Sequence, residues 1–267
     1  EANIKVHYYI SPKAWAWKEG RVKKIKQFVD EMYIILPFEK AFYKKHQYDA
    51  KYVGNPLLDA VLDFKKKEKI SDSVTKITDP ESGRKIIALL PGSRRMEVEK
   101  ILPHMVEASS KFPDVNFIIA GVTTLPESLY KKINTHNYPV VMNSTYDLLS
   151  VAHAALVTSG TATLETALFN VPQVVCYKAN PISMRIAKTL VNLKYVSLVN
   201  LIMDEEIVKE LIQRDLNTSL ISKELKAIFE GPKRDEMLAK YASLHKVMGQ
   251  AGASQRVAKY IVDEIKG

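Results

Sequence analysis

Residues 88–103 read ALLPGSRRMEVEKILP and set two arginines where a buried strand gives way to a helix. The apolar run Ile86, Ile87, Ala88, Leu89 and Leu90 stops at Pro91-Gly92, and Ser93, Arg94 and Arg95 follow. Glycine lets a backbone approach a ligand closely. Ser93 can cap the helix or bond a phosphate oxygen. A helix N-terminus offers free N–H groups and a partial positive charge. Arginine adds a forked, permanently charged donor suited to phosphate. The stretch therefore predicts an anion site at Gly92, Ser93 and Arg94, with Arg95 the weaker contributor. The competing reading is a solvated helix start in which Arg94 or Arg95 pairs with Glu97 or Glu99.

Two further turns have the same character. TSGTATLE, residues 158–165, again puts small residues between a buried strand and a helix. Its free N–H groups, at Ser159, Gly160 and Thr161, would form a second anion nest. Glu165 lies about one helical turn in, where a carboxylate can accept hydrogen bonds from a ribose diol. A plain capped helix with an acid favoured by the helix dipole explains the same residues. In SLVNL, residues 197–201, Asn200 reads either as a turn-former or as a ligand contact, and taken alone the turn-former is preferred. Jointly, the three turns predict one crevice that holds a pyrophosphate, a ribose and a base.

The elements that must carry these turns follow from periodicity. Strands are expected at residues 5–10, 32–38, 48–56, 85–91, 115–121, 139–143, 154–160, 172–178 and 195–201. Helices are expected at 97–112, 126–134, 146–153, 161–170 and 182–193, then at 205–213, 217–230, 233–247 and 253–265. Pro103 should bend the first of these. A short helix after residue 57 runs into a polar stretch that reads as a linker. Continuous Val/Ile strands alternating with helices mean a parallel sheet covered on both faces. That is a doubly wound, Rossmann-like α/β domain, whose ligands bind at the carboxyl ends of its strands.

Composition narrows the function. The chain has 267 residues, 46% of them hydrophobic, enough for two ordinary domains. No stretch approaches the ~20 apolar residues of a membrane span. The sequence begins at Glu1 with no signal-peptide pattern, and the single cysteine, Cys176, suits a reducing compartment. Net charge is +9, and residues 1–70 hold 15 Lys/Arg against 9 Asp/Glu, a local +6. Such an excess attracts nucleic acid, anionic membranes or phosphorylated substrates without choosing among them. The sequence has no GxGxxG, P-loop, HExxH, CxxC or GxSxG, and its six histidines show no ligand spacing. A nucleotide is expected, though not as NAD or as an ATPase substrate, and a metal site is not expected.

In order and spacing, SPKAWAWKEGRVKKI, ILPFEKAFY, YVGNPLLD, LLPGSRRMEVE, TSGTATLE and YVSLVNLI resemble the lipid-A-disaccharide synthase family over nearly the whole chain. SPxxWAW with its basic run and LPFE are specific to that family, while SGTATLE recurs more widely among nucleotide-sugar enzymes. Asn55 departs from the pattern, since many members carry histidine there, and no catalytic role is assigned to it.

The resemblance implies a GT-B fold: one complete doubly wound Rossmann-like domain plus the C-terminal part of a second. In this division residues 1–58 are the remainder of an acceptor-binding domain and 59–84 the linker. Residues 85–230 form the UDP-sugar domain, and 231–267 are helices packing back toward the first domain. The implied enzyme joins UDP-2,3-diacylglucosamine to 2,3-diacylglucosamine 1-phosphate with inversion, in lipid A biosynthesis, without metal or cofactor. Gly92, Ser93, Arg94, Arg95, Ser159, Gly160 and Thr161 would hold the UDP phosphates, and Glu165 the ribose. Arg94 and Asn200 would serve catalysis, by charge stabilisation and donor orientation. Lys13, Trp15, Lys18 and Arg21, with Lys23 and Lys24 nearby, would meet the acceptor or anionic lipid, and Trp15 and Trp17 also suit a core.

Members of the family extend further at the N-terminus by roughly a hundred residues, which carry the first strands of the acceptor domain. The general base is expected in that region, so the chain alone is expected to bind UDP with little turnover. The implied location is cytoplasmic, peripheral on the inner face of the inner membrane of a Gram-negative bacterium. A homodimer is compatible with the resemblance, and nucleic acid is not an expected partner. Two alternatives remain: another UDP-GlcNAc-type GT-B transferase or epimerase, and a non-catalytic fragment that binds UDP or anionic membrane.

Overall fold

The computed structural model describes residues 4–17, 19–67, 69–78, 83–178 and 194–266. Among these, two parallel sheets organise the chain. The smaller has strands β1 (His7–Tyr9), β2 (Glu31–Ile34) and β3 (Ala50–Tyr52), side by side in sequence order. Helices α1 (Ala14–Trp17), α2 (Arg21–Phe28) and α3 (Glu39–Lys45) join them, and α4 (Pro56–Lys65) leaves the last strand. Asn55 caps α4: its side chain accepts from the Leu57 N–H at 3.0 Å and donates to the Ile35 carbonyl at 3.1 Å.

The larger sheet has six strands: β4 (Ile86–Leu90), β5 (Asn116–Gly121), β6 (Val140–Met142), β7 (Ala154–Thr158), β8 (Gln173–Tyr177) and β9 (Lys209–Ile212). Their order is β6-β5-β4-β7-β8-β9, all parallel. The chain thus starts at the centre, builds outward one way, returns, and builds outward the other way. The switch point lies between β4 and β7, and in such sheets ligands bind outside the carboxyl ends of the strands at that point.

Short helix α5 (Asp72–Thr75) precedes this sheet. Helices α6 (Arg95–Ser109), α7 (Glu127–Ile133), α8 (Thr145–Val151) and α9 (Thr161–Leu168) connect its first strands. After them come α10 (Leu198–Met203), α11 (Thr218–Phe229), α12 (Pro232–Met248) and α13 (Ala253–Lys266). The sheet strands are apolar on both faces because both are covered. Val98, Ile101, Leu102 and Met105 of α6 pack with Ile221 and Leu225 of α11 in one core. Leu148 and Leu149 of α8 pack with Val74 of α5 in the other.

Three expectations change. The segment at 195–201 is not a strand: Ser197 accepts from the Asn200 N–H at 3.3 Å, and that cap starts α10. Residues 205–213 are not a helix, because Lys209–Ile212 pairs in register with Val174–Tyr177 as the edge strand β9. The stretch at 59–84 is not a free linker over its described part. Val74 is buried in the second core, and the Ser71 N–H donates to Asp147 at 2.6 Å. The helix expected at 182–193 lies outside the described residues.

The C-terminus divides after Gly249. Helix α12 stays on the larger unit, with Met237, Tyr241 and Leu244 in its main core. Helix α13 returns to the smaller one. Asp59 of α4 accepts the backbone N–H groups of Gly252 and Ala253 at its start. Arg256 donates to the Val53 carbonyl at 2.8 Å, and Val257 packs against Tyr33 and Val53.

Candidate functional site

Strand β4 ends in Pro91-Gly92-Ser93-Arg94 and then opens α6, while β7 ends in Ser159-Gly160 and opens α9. The strands are neighbours, with Leu90 opposite Val157, so both helix N-termini face the same switch-point crevice. The first-turn N–H groups of a helix have no intrahelical acceptor and point out of its end. Two such ends side by side concentrate positive potential in the crevice.

Gly92 adopts φ +107°, a conformation few side-chain-bearing residues tolerate. A β-carbon there would collide with the Glu97 carboxylate and lie 3.1 Å from Thr158 Cγ2. The helix cap is Arg94 rather than Ser93. The Arg94 N–H donates to Glu97 Oε2 at 3.3 Å, and its guanidinium donates to Glu97 Oε1 at 3.0 Å. Arg95 pairs with Glu99 at 3.5 Å. Both ion pairs of the solvated reading are therefore formed. Arg94 is 81% exposed, and such a pair is worth about 0–1 kcal/mol.

In the second turn, Ser159 Oγ donates to the Val196 carbonyl at 2.7 Å and Thr163 Oγ1 to the Gly160 carbonyl at 2.8 Å. The serine hydroxyl is thus committed to holding the loop before α10, and Thr161 stays exposed. Glu165, half-buried in α9, accepts from the Tyr146 hydroxyl at 2.7 Å. Burial and then this carboxylate push the Tyr146 phenol well above its ordinary pKa, so it remains a donor.

Asn200 is fully buried, and its amide is saturated. It donates to the Val208 carbonyl and Glu210 at 2.8 and 2.9 Å, and accepts from the Ile207 and Val208 N–H groups at 2.8 and 3.0 Å. Glu210 also accepts the Val196 and Ser197 N–H groups, both at 2.9 Å. Asn200 therefore ties α10 to β9 and does not present its amide to the crevice.

At the smaller sheet, Trp15 donates to Glu39 at 3.1 Å and packs edge-on to Phe38 at 4.9 Å, half-buried. Glu39 also accepts the Ile35 and Leu36 N–H groups at 3.3 and 3.0 Å, and burial raises its pKa. Lys13, Arg21, Lys23 and Lys24 are exposed. Lys18 and the Trp17 side chain lie outside the described residues.

The structure sets Gly92, Ser93 and Arg94 at the end of β4 and Ser159, Gly160 and Thr161 at the end of the neighbouring β7, with Glu165 on α9. The sequence reading missed Thr158 as the contact between the turns, Tyr146 as the partner of Glu165, and Glu210 as the clamp on the 196–200 turn. Each partner lies far along the chain, so no local signal announced it. Among the described residues, no group of three His, Cys, Asp or Glu could hold a metal ion, and no helix is long and apolar enough to cross a membrane.

Comparison with known proteins gives consistent matches. The family model described as lipid-A-disaccharide synthetase matches residues 1–265. A lipid-A-disaccharide synthase of Coxiella burnetii (strain CbuG_Q212) is 35% identical over 266 residues, covering 98% of this chain and 70% of the relative. One from Syntrophus aciditrophicus (strain SB) is 36% identical over 272 residues, again covering 98% and 70%. Among solved structures, the UDP-GlcNAc 2-epimerase of Neisseria meningitidis, bound to UDP-GlcNAc, superposes with a TM-score of 0.60 at 17% identity. That match covers 87% of this chain and 62% of the other, and at such identity the likeness is one of fold.

Proposed function

The chain belongs to the lipid-A-disaccharide synthetase family, and from that premise we infer that it serves lipid A biosynthesis as an inverting glycosyltransferase. The proposed reaction joins UDP-2,3-diacylglucosamine to 2,3-diacylglucosamine 1-phosphate, giving lipid A disaccharide 1-phosphate and UDP. The observation that carries this reading is the pair of small-residue turns on adjacent strands at the switch point, each opening a helix into the same crevice.

In this proposal the acceptor hydroxyl attacks the anomeric carbon as the bond to UDP breaks, and the leaving diphosphate gains negative charge. Groups preoriented toward that charge lower the barrier. The Gly92–Arg95 turn and the N-terminus of α6 receive the diphosphate, and Arg94 leaves Glu97 to pair with it. The N-terminus of α9, at Gly160 and Thr161, adds a second set of N–H donors, while the Ser159 N–H donates to the Cys176 carbonyl at 3.3 Å and shapes the turn. Glu165 takes a ribose hydroxyl. Asn200 acts by tying α10 to Glu210, which in turn holds the segment before α10. No residue of this chain is assigned as the base that deprotonates the acceptor.

Lys13 and Arg21 are proposed to meet the acceptor phosphate or anionic lipid at the inner face of the inner membrane. Arg21, Lys24 and Phe28 share one exposed side of α2, which suits a surface both anionic and apolar. Trp15 supports this region from within through Glu39.

Donor choice tests the reading. The chain should bind UDP-2,3-diacylglucosamine more tightly than UDP-GlcNAc, and both should be displaced by UDP. Equal affinity for the two sugars would move the assignment to another UDP-sugar enzyme of the same architecture.

A further inference from the structure

Glu165 is held by a residue that belongs to a different strand-helix unit. Tyr146 opens α8 after the edge strand β6, whereas Glu165 lies on α9 after β7. The tyrosine hydroxyl donates to Glu165 Oε1 at 2.7 Å. The ring is fixed on two sides: Phe64 of α4 meets it edge-on at 5.7 Å, and Phe169 lies tilted at 5.1 Å. Both residues are half-buried. Among the described residues no other donor reaches this carboxylate.

A carboxylate has two oxygens with about four lone-pair directions. One hydrogen bond from an immobile ring fixes its rotation and leaves the second oxygen free for a ligand hydroxyl. A ligand then meets an acceptor already aimed, and the cost of ordering a flexible glutamate is not charged to binding. We propose that Tyr146 is a positioning residue for nucleotide recognition: by holding Glu165 Oε1 it presents Oε2 to a ribose hydroxyl and so sets the preference for ribonucleotides. This rests on the reading of Glu165 as the ribose contact. Its basis is the Tyr146–Glu165 bond and the aromatic bracket around it. The raised phenol pKa keeps the donor proton in place throughout the neutral range.

The test uses the 267-residue chain and its Tyr146→Phe and Glu165→Ala variants, titrated with UDP, 2′-deoxy-UDP and 3′-deoxy-UDP. Thermal melting of each variant establishes that it is folded. The parent should prefer UDP to at least one deoxy analogue. Tyr146→Phe should shrink that preference by about two- to tenfold, because Glu165 stays in place but is no longer aimed, and leave affinity for the deoxy analogue in place. In a Glu165→Ala background, which has no acceptor, the preference should be gone, and adding Tyr146→Phe should change it no further. Should the phenylalanine variant fail to fold, Tyr146→Met, which also lacks the hydroxyl, gives the same readout. A parent preference that survives Tyr146→Phe intact would overturn the proposal while leaving Glu165 on the ribose. Equal weakening of UDP and its deoxy analogues would overturn it too, because packing alone would do that. A parent with no preference would refute the ribose reading and this proposal with it.

Discussion

Gly92 and Thr158 meet across the crevice: a β-carbon on residue 92 would lie 3.1 Å from the Thr158 methyl, tighter than side chains normally pack. The contact joins the ends of β4 and β7, the two strands at which the chain switches direction across the sheet. The two turns therefore lie side by side, and their spacing depends on residue 92 having no side chain.

Gly92→Ala is expected to cost about 1–3 kcal/mol of stability, since φ +107° strains any other residue and the new methyl strikes the Glu97 carboxylate. UDP affinity should fall together with the melting temperature. An alanine variant with parental melting and parental UDP binding would show that the turn does not need its tight approach.

Asn200→Ala should destabilise the chain by about 1–3 kcal/mol or more, because it strands the buried N–H groups of Ile207 and Val208. Chemical denaturation measures this. Its effect on UDP affinity should scale with the loss of stability, as expected of a side chain that acts through the 196–200 turn. Lost binding at parental stability would mean that the amide itself touches the donor.

Burial lowers the pKa of His104, His153 and His245, and near His104 the Lys178 ammonium adds to it. Lys178 donates to His104 Nε2 at 2.8 Å, which requires a neutral imidazole. The unfolded chain therefore binds more protons than the folded one below the ordinary histidine pKa near 6.5. The stability these groups contribute is present above that pH and is lost as pH falls through the depressed folded values. Glu39 runs the other way: its pKa is raised by burial, so its contribution is present at low pH and lost as pH rises. The melting temperature should drop between about pH 7 and pH 5, the histidine window. His104→Gln, which still accepts from Lys178, should flatten the drop, and an unchanged slope would exclude His104 from it.

Much of this site was legible in the sequence because it rests on local patterns. The runs IIALL and AALVT followed by PGS and SGT are strand-to-helix turns whatever lies elsewhere, and the βα rhythm located both on one sheet. What was illegible depends on distant partners. YVSLVNLI carries a strand-like apolar pattern, yet Glu210 holds its turn from ten or more residues away, and the Ser197 cap makes a helix of it. The stretch at 205–213 reads as helical by spacing, but its backbone completes the edge of a sheet whose neighbour, β8, lies more than thirty residues earlier. Tyr146 and Glu165 are 19 residues apart, on separate helices, and nothing in either segment names the other.

The most direct measurement is titration of UDP into the chain and into its Arg94→Ala variant. The account predicts binding by the parent and a loss of about 1.5–3 kcal/mol in the variant, the range for hydrogen bonds from a charged group. Arg94 is exposed and its ion pair with Glu97 is weak, so stability should change little. UDP binding of equal strength in both proteins would contradict the placement of the diphosphate on the Gly92–Arg95 turn.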